Sequence, residues 1–285
     1  MKPASFKYYA PRSVDEAAAL LGDLAADDGR ILAGGQSLLP SMAFRMAKPA
    51  HLIDINRIAT LANIDLEKNI VRIGACVRHA AFESTGRVPG ATGVLLGKVV
   101  RNIAHPPIRA RGTFCGSLAN ADPSSEWLCT AVALDATIVA RSRDGERRIS
   151  AADFFQGVMT TDLHETEMIA AVELPLLAAD TRSGFVEFSR RRGDFAIGMV
   201  LTAFRIEGGR AVDVRIAVGG VEASPRRISE AEAVLAGSTA DEETFVAVAE
   251  TIANTVDPMQ DDQHPVAYRR SLIRTLAYRA LKNAA

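Results

Sequence analysis

Cysteine is scarce in this chain. Of its 285 residues only Cys76, Cys115 and Cys129 are cysteines, an odd number with no CxxC spacing. Such a set makes neither a disulfide framework nor a four-thiolate zinc or iron–sulfur site. The five histidines, His51, His79, His105, His164 and His264, are scattered and form no HxxxH pair. No self-contained metal centre is expected. A surplus of charge is missing too: 33 Lys and Arg face 34 Asp and Glu, a formal net charge of −1. A nucleic-acid binder is usually basic overall or carries a basic stripe, so no nucleic-acid partner is expected. No run approaches the roughly 20 uncharged apolar residues of a membrane span. The opening MKPASFKYYAPRSVDEAAALL lacks the apolar stretch of a signal peptide. The expectation is a cytoplasmic protein without a membrane span.

What is present is enough chain for a substantial core and, by length, for two domains. SVDEAAALLGDL reads as a helix started by Ser13 or Asp15, with Val14, Ala17, Ala18 and Leu21 at helical spacing. GRILAGG predicts a short buried strand, SLLPSMAFRMAKP a helix with Pro40 in its first turn and Pro49 beyond its end, and HLIDI a second strand. Strand, helix-bearing crossover and strand imply a small parallel βαβ unit. IVRIGACV (strand), TGVLLGKVVRNIA (helix) and SSEWLCTAVAL (short buried helix) follow. ATIVARSRDGERRIS predicts a hairpin with Asp144-Gly145 at its tip, and EMIAAVELP a further strand. A boundary is expected near residue 180, in LLAADTRSG. Several strands come after it, one pair turning at Gly208-Gly209, and then three helices in SEAEAVLAG, DEETFVAVAETIANTV and PVAYRRSLIRTLAYRALKNA. The pattern is α+β throughout.

Two small-residue bends stand out, ILAGGQSLLP at 31–40 and RGTFCGSLANADP at 111–123. Gly34-Gly35 end a strand, and Gln36-Ser37 open a helix. Glycines let the backbone approach a ligand closely, and consecutive N–H groups can then face an anion such as phosphate. The same stretch also reads as a strand–helix turn that simply needs glycine. It has neither the GxGxxG spacing of a dinucleotide-binding unit nor the Lys-Ser/Thr of a P-loop. In the second bend Thr113, Gly116 and Ser117 offer hydroxyls and close approach, and Asn120 a bidentate amide. Asp122 before Pro123 also fits the start of a helix, as N-cap ahead of a proline. Glu126 falls about one turn into that helix, where a carboxylate suits the helix dipole. Two such corners suit a long ligand with a central pyrophosphate. Spacing does not separate FAD from NAD.

Taken together, ILAGGQSLLP, NIAHPPIRARGTFCGSLANADP, RRRGDFAIG and YRRSLIRTLAYRAL resemble the FAD-binding medium subunit of the molybdenum hydroxylases, the xanthine dehydrogenase and carbon monoxide dehydrogenase family. The resemblance runs from near residue 4 to residue 282. It implies a two-subdomain FAD-binding domain of the vanillyl-alcohol-oxidase (PCMH) type over 1–177, divided into about 1–57 and 58–177. A C-terminal domain of a three-stranded sheet plus helices would occupy 178–285. By the same resemblance Leu32, Ala33, Gly34, Gly35, Gln36, Ser37 and Leu38 hold the pyrophosphate. Thr113, Phe114, Cys115, Gly116 and Ser117 form the second loop, and Asn120, Asp122 and Glu126 continue the pocket wall. Ile103 and Ile169 fall where family members pack apolar side chains against the cofactor. Phe195 falls where a side chain approaches the isoalloxazine ring, although it also reads as an ordinary strand-core aromatic. Cys115 replaces a common glycine, and Asn120 stands where histidine is common. The extra iron–sulfur cluster of some relatives is not expected with three dispersed cysteines.

The family resemblance implies one component of a relay. A large subunit with a molybdopterin cofactor oxidises substrate, a small subunit with two [2Fe–2S] clusters passes electrons to FAD, and FAD delivers them to an external acceptor. No catalytic side chain is expected here, because the cofactor carries the chemistry. A dimer of heterotrimers is the family habit. Arg190-Arg191-Arg192 reads as a contact to a partner subunit or to the cofactor's anionic groups, or as a solvated charge cluster on a sheet edge. Helix 268–282 is expected to pack within its own domain. Two other readings are a stand-alone FAD oxidase of the same flavin fold and a non-enzymatic nucleotide-binding module.

Overall fold

The structure is a computed structural model that describes residues 2–84 and 86–285. Strand β1 (Lys7–Tyr9), helix α1 (Val14–Leu24), strand β2 (Gly29–Leu32), helix α2 (Leu38–Ala43) and strand β3 (His51–Asp54) build the first layer. Its sheet is parallel, in the order β1–β3–β2. Helix α1 starts where the pattern placed it. The Ser13 hydroxyl accepts from the Glu16 N–H at 3.1 Å, and Glu16 reaches back to the Arg12 N–H. Helix α2 is shorter than expected. It ends at Ala43 because Arg45 turns to φ +58°, where the N–H groups of Met46 and Ala47 both close on the Ser41 carbonyl.

The second layer opens with β4 (Ile64–Glu67), β5 (Ile70–Gly74) and helices α3 (Gly90–Val100), α4 (Pro106–Arg109), α5 (Phe114–Asn120) and α6 (Glu126–Ala133). It continues through β6 (Thr137–Ser142), β7 (Gly145–Ser150), α7 (Ala151–Phe154), β8 (Phe155–Gly157), β9 (Thr160–Thr161) and β10 (Met168–Pro175). An antiparallel sheet in the order β4–β5–β10–β6–β7 carries this layer, and its β6–β7 hairpin turns at Asp144-Gly145. Below it Trp127 is fully buried, with Phe114 at 4.7 Å and Phe82 at 5.3 Å between ring centroids. The tilted Phe114–Trp127 contact joins α5 to α6, and Phe82 meets the same indole edge-on.

The third layer has three long strands, β11 (Arg182–Phe188), β12 (Gly198–Glu207) and β13 (Arg210–Gly219), with a two-residue β14 (Arg226–Arg227) added at the edge. Helices α8 (Ser229–Leu235), α9 (Glu242–Thr255) and α10 (Val266–Ala284) cover it. The apolar face of α10 (Ile273, Leu276, Ala277, Ala280) joins Val200 and Phe204 in one core. The C-terminal helix thus packs within its own layer. A second core fills the first two layers and draws in Phe185, Ala196, Met199, Leu201, Ala203 and Ala217 from the third layer. The two halves of the chain therefore share buried apolar surface.

Candidate functional site

The two small-residue bends, about 80 residues apart in sequence, meet in space. A methyl carbon placed on Gly34 would lie 2.5 Å from the Arg111 carbonyl oxygen and 2.7 Å from the Gly112 Cα. Backbone therefore lies on backbone there, and only glycine fits. Gly35 turns the chain at φ +73°. Among the described residues, none of the N–H groups of Gly34, Gly35, Gln36 or Ser37 donates to a protein acceptor. Unpaired, partly exposed N–H groups in a row suit an anion. Helices α2 and α5 are six and seven residues long, too short for a strong helix dipole, so the free N–H groups of the first bend are the donors it could offer an anion.

Two side chains unmarked by any sequence pattern tie the bends together. Asn56 Nδ2 donates to the Ala33 carbonyl at 2.8 Å, while Asn56 Oδ1 accepts from Arg78 Nη2 at 2.5 Å. Arg78 Nη1 donates in turn to the Arg111 carbonyl. Asp54, at the end of β3, fixes Asn56 by accepting from its backbone N–H at 2.9 Å and from its amide. Arg78 and Thr113 form an isolated antiparallel bridge, so the strand entering the second bend is held by main chain as well. Behind it, Trp127 Nε1 donates to His79 Nδ1 at 2.9 Å. Burial pushes the His79 imidazole down to about 4, so the ring is neutral and its proton sits on Nε2, facing Gly112.

Leu32, Ala33, Gly34, Gly35, Gln36 and Leu38 are half-buried along the first bend, and Ser37 is exposed. In the second, the Thr113 hydroxyl accepts from the Gly116 N–H at 3.0 Å and so caps α5. The Phe114 side chain enters the aromatic core. Cys115 also faces inward, its thiol 3.6 Å from the Ile73 carbonyl and its pKa pushed up by burial. These two can offer a ligand backbone only. Gly116, Ser117 and Asn120 remain half-buried at the surface of the bend. Ile103 and Ile169 lie in the core at 7% and 5% exposure.

Asp122 does not cap α6, as its place before Pro123 suggested. Its carboxylate accepts from the Ser124 N–H at 3.0 Å in a local turn, and the helix begins later, with Ser125 as N-cap and Glu126 as its first residue. The Glu126 side chain is buried and meets Glu187 of β11. Both pKa values are pushed up, first by burial and for Glu126 then by the Glu187 charge. Phe195 is no strand-core residue: it lies in the β11–β12 loop with 75% of its surface exposed. It borders a cleft of about 540 Å³ that Pro123, Ser124, Val158 and Ile197 also line. Arg190, Arg191 and Arg192 are exposed in the same loop.

Comparison with known proteins agrees with this architecture. Residues 4–177 match the family described as the FAD binding domain in molybdopterin dehydrogenase. Residues 183–284 match the CO dehydrogenase flavoprotein C-terminal domain. The chain is 39% identical to the 6-hydroxypseudooxynicotine dehydrogenase complex subunit alpha of Paenarthrobacter nicotinovorans, covering 100% of this chain and 96% of the relative. Among solved structures, it superposes on a chain of carbon monoxide dehydrogenase from Hydrogenophaga pseudoflava, in a form lacking the Mo-pyranopterin moiety. That match has a TM-score of 0.94 and 35% identity and covers 100% and 98% of the two chains. A chain of quinoline 2-oxidoreductase from Pseudomonas putida 86 matches with a TM-score of 0.91 and 36% identity at the same coverage. With the converged bends, these matches identify the chain as a member of the FAD-binding medium subunits of the molybdenum hydroxylase family, an oxidoreductase component that binds FAD.

Proposed function

We propose that this chain is the electron-transfer subunit of a heterotrimeric molybdenum hydroxylase. It would take electrons from the [2Fe–2S] clusters of a small subunit and pass them through FAD to an external acceptor. A large molybdopterin subunit would perform the substrate oxidation, and two heterotrimers would pair in the cytoplasm. FAD supplies the redox chemistry; the protein supplies position and electrostatics. The flavin lies within residues 1–177, and residues 178–285 form a separate domain that brings Phe195 to it. Within residues 32–38, the free N–H groups of Gly34, Gly35, Gln36 and Ser37 are offered to the pyrophosphate. Thr113, Gly116, Ser117, Asn120 and Asp122 continue along the ligand, with the backbone of Phe114 and Cys115. Ile103 and Ile169 support the pocket from the core, Glu126 closes its wall towards β11, and Phe195 meets the ring end of the cofactor.

The observation that supports this reading is the backbone contact of Gly34 with Arg111 and Gly112, which sets the two bends side by side. Gentle purification of the tagged chain from its native host tests it. The expected product is a yellow complex with a large and a small subunit, containing FAD, molybdenum and iron. A chain that purifies alone and turns over as an oxidase, or an intact complex without flavin, overturns it.

A further inference from the structure

The cleft beside Phe195 has a support in the segment YRRSLIRTLAYRAL, to which the sequence pattern assigns no role of its own. Arg269, in the first turn of α10, keeps only 7% of its surface exposed, yet its guanidinium meets three acceptors from three parts of the chain. Nη1 donates to the carbonyl oxygens of Ile197 at 3.1 Å and Gly220 at 2.9 Å, and Nη2 donates to Asp261 Oδ2 at 2.6 Å. Asp261 is itself fixed, since its Oδ1 accepts from the N–H groups of Gln263 at 2.8 Å and His264 at 2.7 Å. The Arg269 bond holds the Asp261 carboxyl below the usual carboxylate range, so Asp261 is a carboxylate at neutral pH. A buried guanidinium needs such a partner.

The two carbonyls matter through what they join. Ile197 lies two residues beyond Phe195, and its N–H closes the loop onto the Phe188 carbonyl at 2.8 Å. Gly220 sits at φ +79° against Gly198, and its N–H donates to the Pro123 carbonyl at 2.9 Å, one residue past Asp122. One guanidinium thus links the Phe195 loop to the Asp122–Ser124 turn across the floor of the cleft.

We propose that Arg269 is a positioning residue for the flavin, holding the Phe195 loop and the Pro123 turn at a fixed separation around the ring end of the cofactor. This rests on the reading of the site given above. The residue type follows from the geometry. A planar fork spans two carbonyls and a carboxylate, whereas a lysine ammonium, a single point on a flexible stem, keeps the charge and loses the span. Arg269 is not among the residues of the two apolar clusters that flank the β11–β14 sheet, so its loss is expected to release the loop and the turn before the fold.

The test uses the whole complex carrying Arg269→Gln or Arg269→Lys. It reads flavin content, FAD affinity, the band shape of the visible spectrum and the reduction potential of the bound flavin. The Gln variant is expected to keep its secondary structure, iron and molybdenum, to bind FAD about tenfold more weakly, and to show a shifted spectrum and potential. The Lys variant falls between it and the parent. Wild-type affinity, spectrum and potential in both variants, even with a lower melting temperature, reduce Arg269 to a structural tie and overturn the proposal. If the Gln variant does not fold, the Lys variant decides. Gly34→Ala in the same complex separates the two readings. If it strips the flavin while the Arg269 variants do not, only the positioning role fails; if it binds FAD normally, the site itself is misplaced.

Discussion

Gly34 tolerates no side chain because the atoms facing it are main chain. A flexible neighbour could yield, but the Arg111 carbonyl oxygen and Gly112 Cα, 2.5 and 2.7 Å from where a methyl carbon would stand, cannot move without opening the second bend. Gly34→Ala is therefore expected to weaken FAD binding at least about tenfold, roughly 1.4 kcal/mol, as read by titrating flavin into the apoprotein. Ser37→Ala, which loses an exposed hydroxyl and keeps the N–H, should stay within about twofold. Equal effects would mean that the bend binds through its hydroxyl and not its backbone. Glycine was the legible part of this site, although the pair alone reads equally as a plain strand–helix turn and pointed to a ligand only beside the second bend. Asn56 and Arg78 were invisible for the opposite reason. They are common polar residues 22 positions apart, and their roles arise only where the end of β3 meets the bridge from Arg78 to Thr113. Cys115 shows a further limit. Its place in the motif was plain, but the direction of its thiol depends on how α5 sits over Ile73.

At the scale of elements, the periodic segments were readable and the short ones were not. Helices α1, α9 and α10, the β6–β7 hairpin and the turn at Gly208-Gly209 follow from spacing and turn chemistry. Strand β1 has three residues, and its pairing with β3 supplies what its sequence does not. Helix α6 starts at Glu126 because the Asp122 turn takes the N–H of Ser124 first. The link between elements that ties the two bends together runs from β3 through Asn56 and Arg78 to the second bend. Its parts act in series, so removing either should cost nearly as much as removing both. Asn56→Ala and Arg78→Ala are each expected to weaken FAD binding about tenfold, and the double variant little more, a coupling of about 1–2 kcal/mol. Additive losses in the titrated affinities would show that each residue acts on its own bend alone.

Across the whole molecule, the two halves meet at a pair of acids with no cation between them among the described residues. Glu126 stands at the first position of α6, where the helix dipole favours a carboxylate by about 0.3–1 kcal/mol. Burial outweighs that gain, and its pKa rises along with that of Glu187 on β11. The surroundings offer little relief. Asp122 adds like charge, and Cys129 on α6 carries a thiol whose pKa is itself raised by burial. Lys98 on α3, packed near β11, is committed to the Ser183 carbonyl at 2.5 Å. Among the described residues, Glu187 Oε2 is buried with no hydrogen-bond partner. The folded chain therefore keeps a proton that the unfolded chain releases in the ordinary carboxylate range. Because the native state binds more protons over that window, stability falls as pH rises through it, by up to about 1.4 kcal/mol per proton and pH unit. Glu187→Gln replaces the second acid with an amide able to donate to Glu126. Its melting temperature, followed by flavin release from the complex, is expected to exceed the parent's by a margin that widens from about pH 5 to about pH 8.5. A margin independent of pH would show that the two carboxyls do not share their proton, and that the halves are joined there by packing alone.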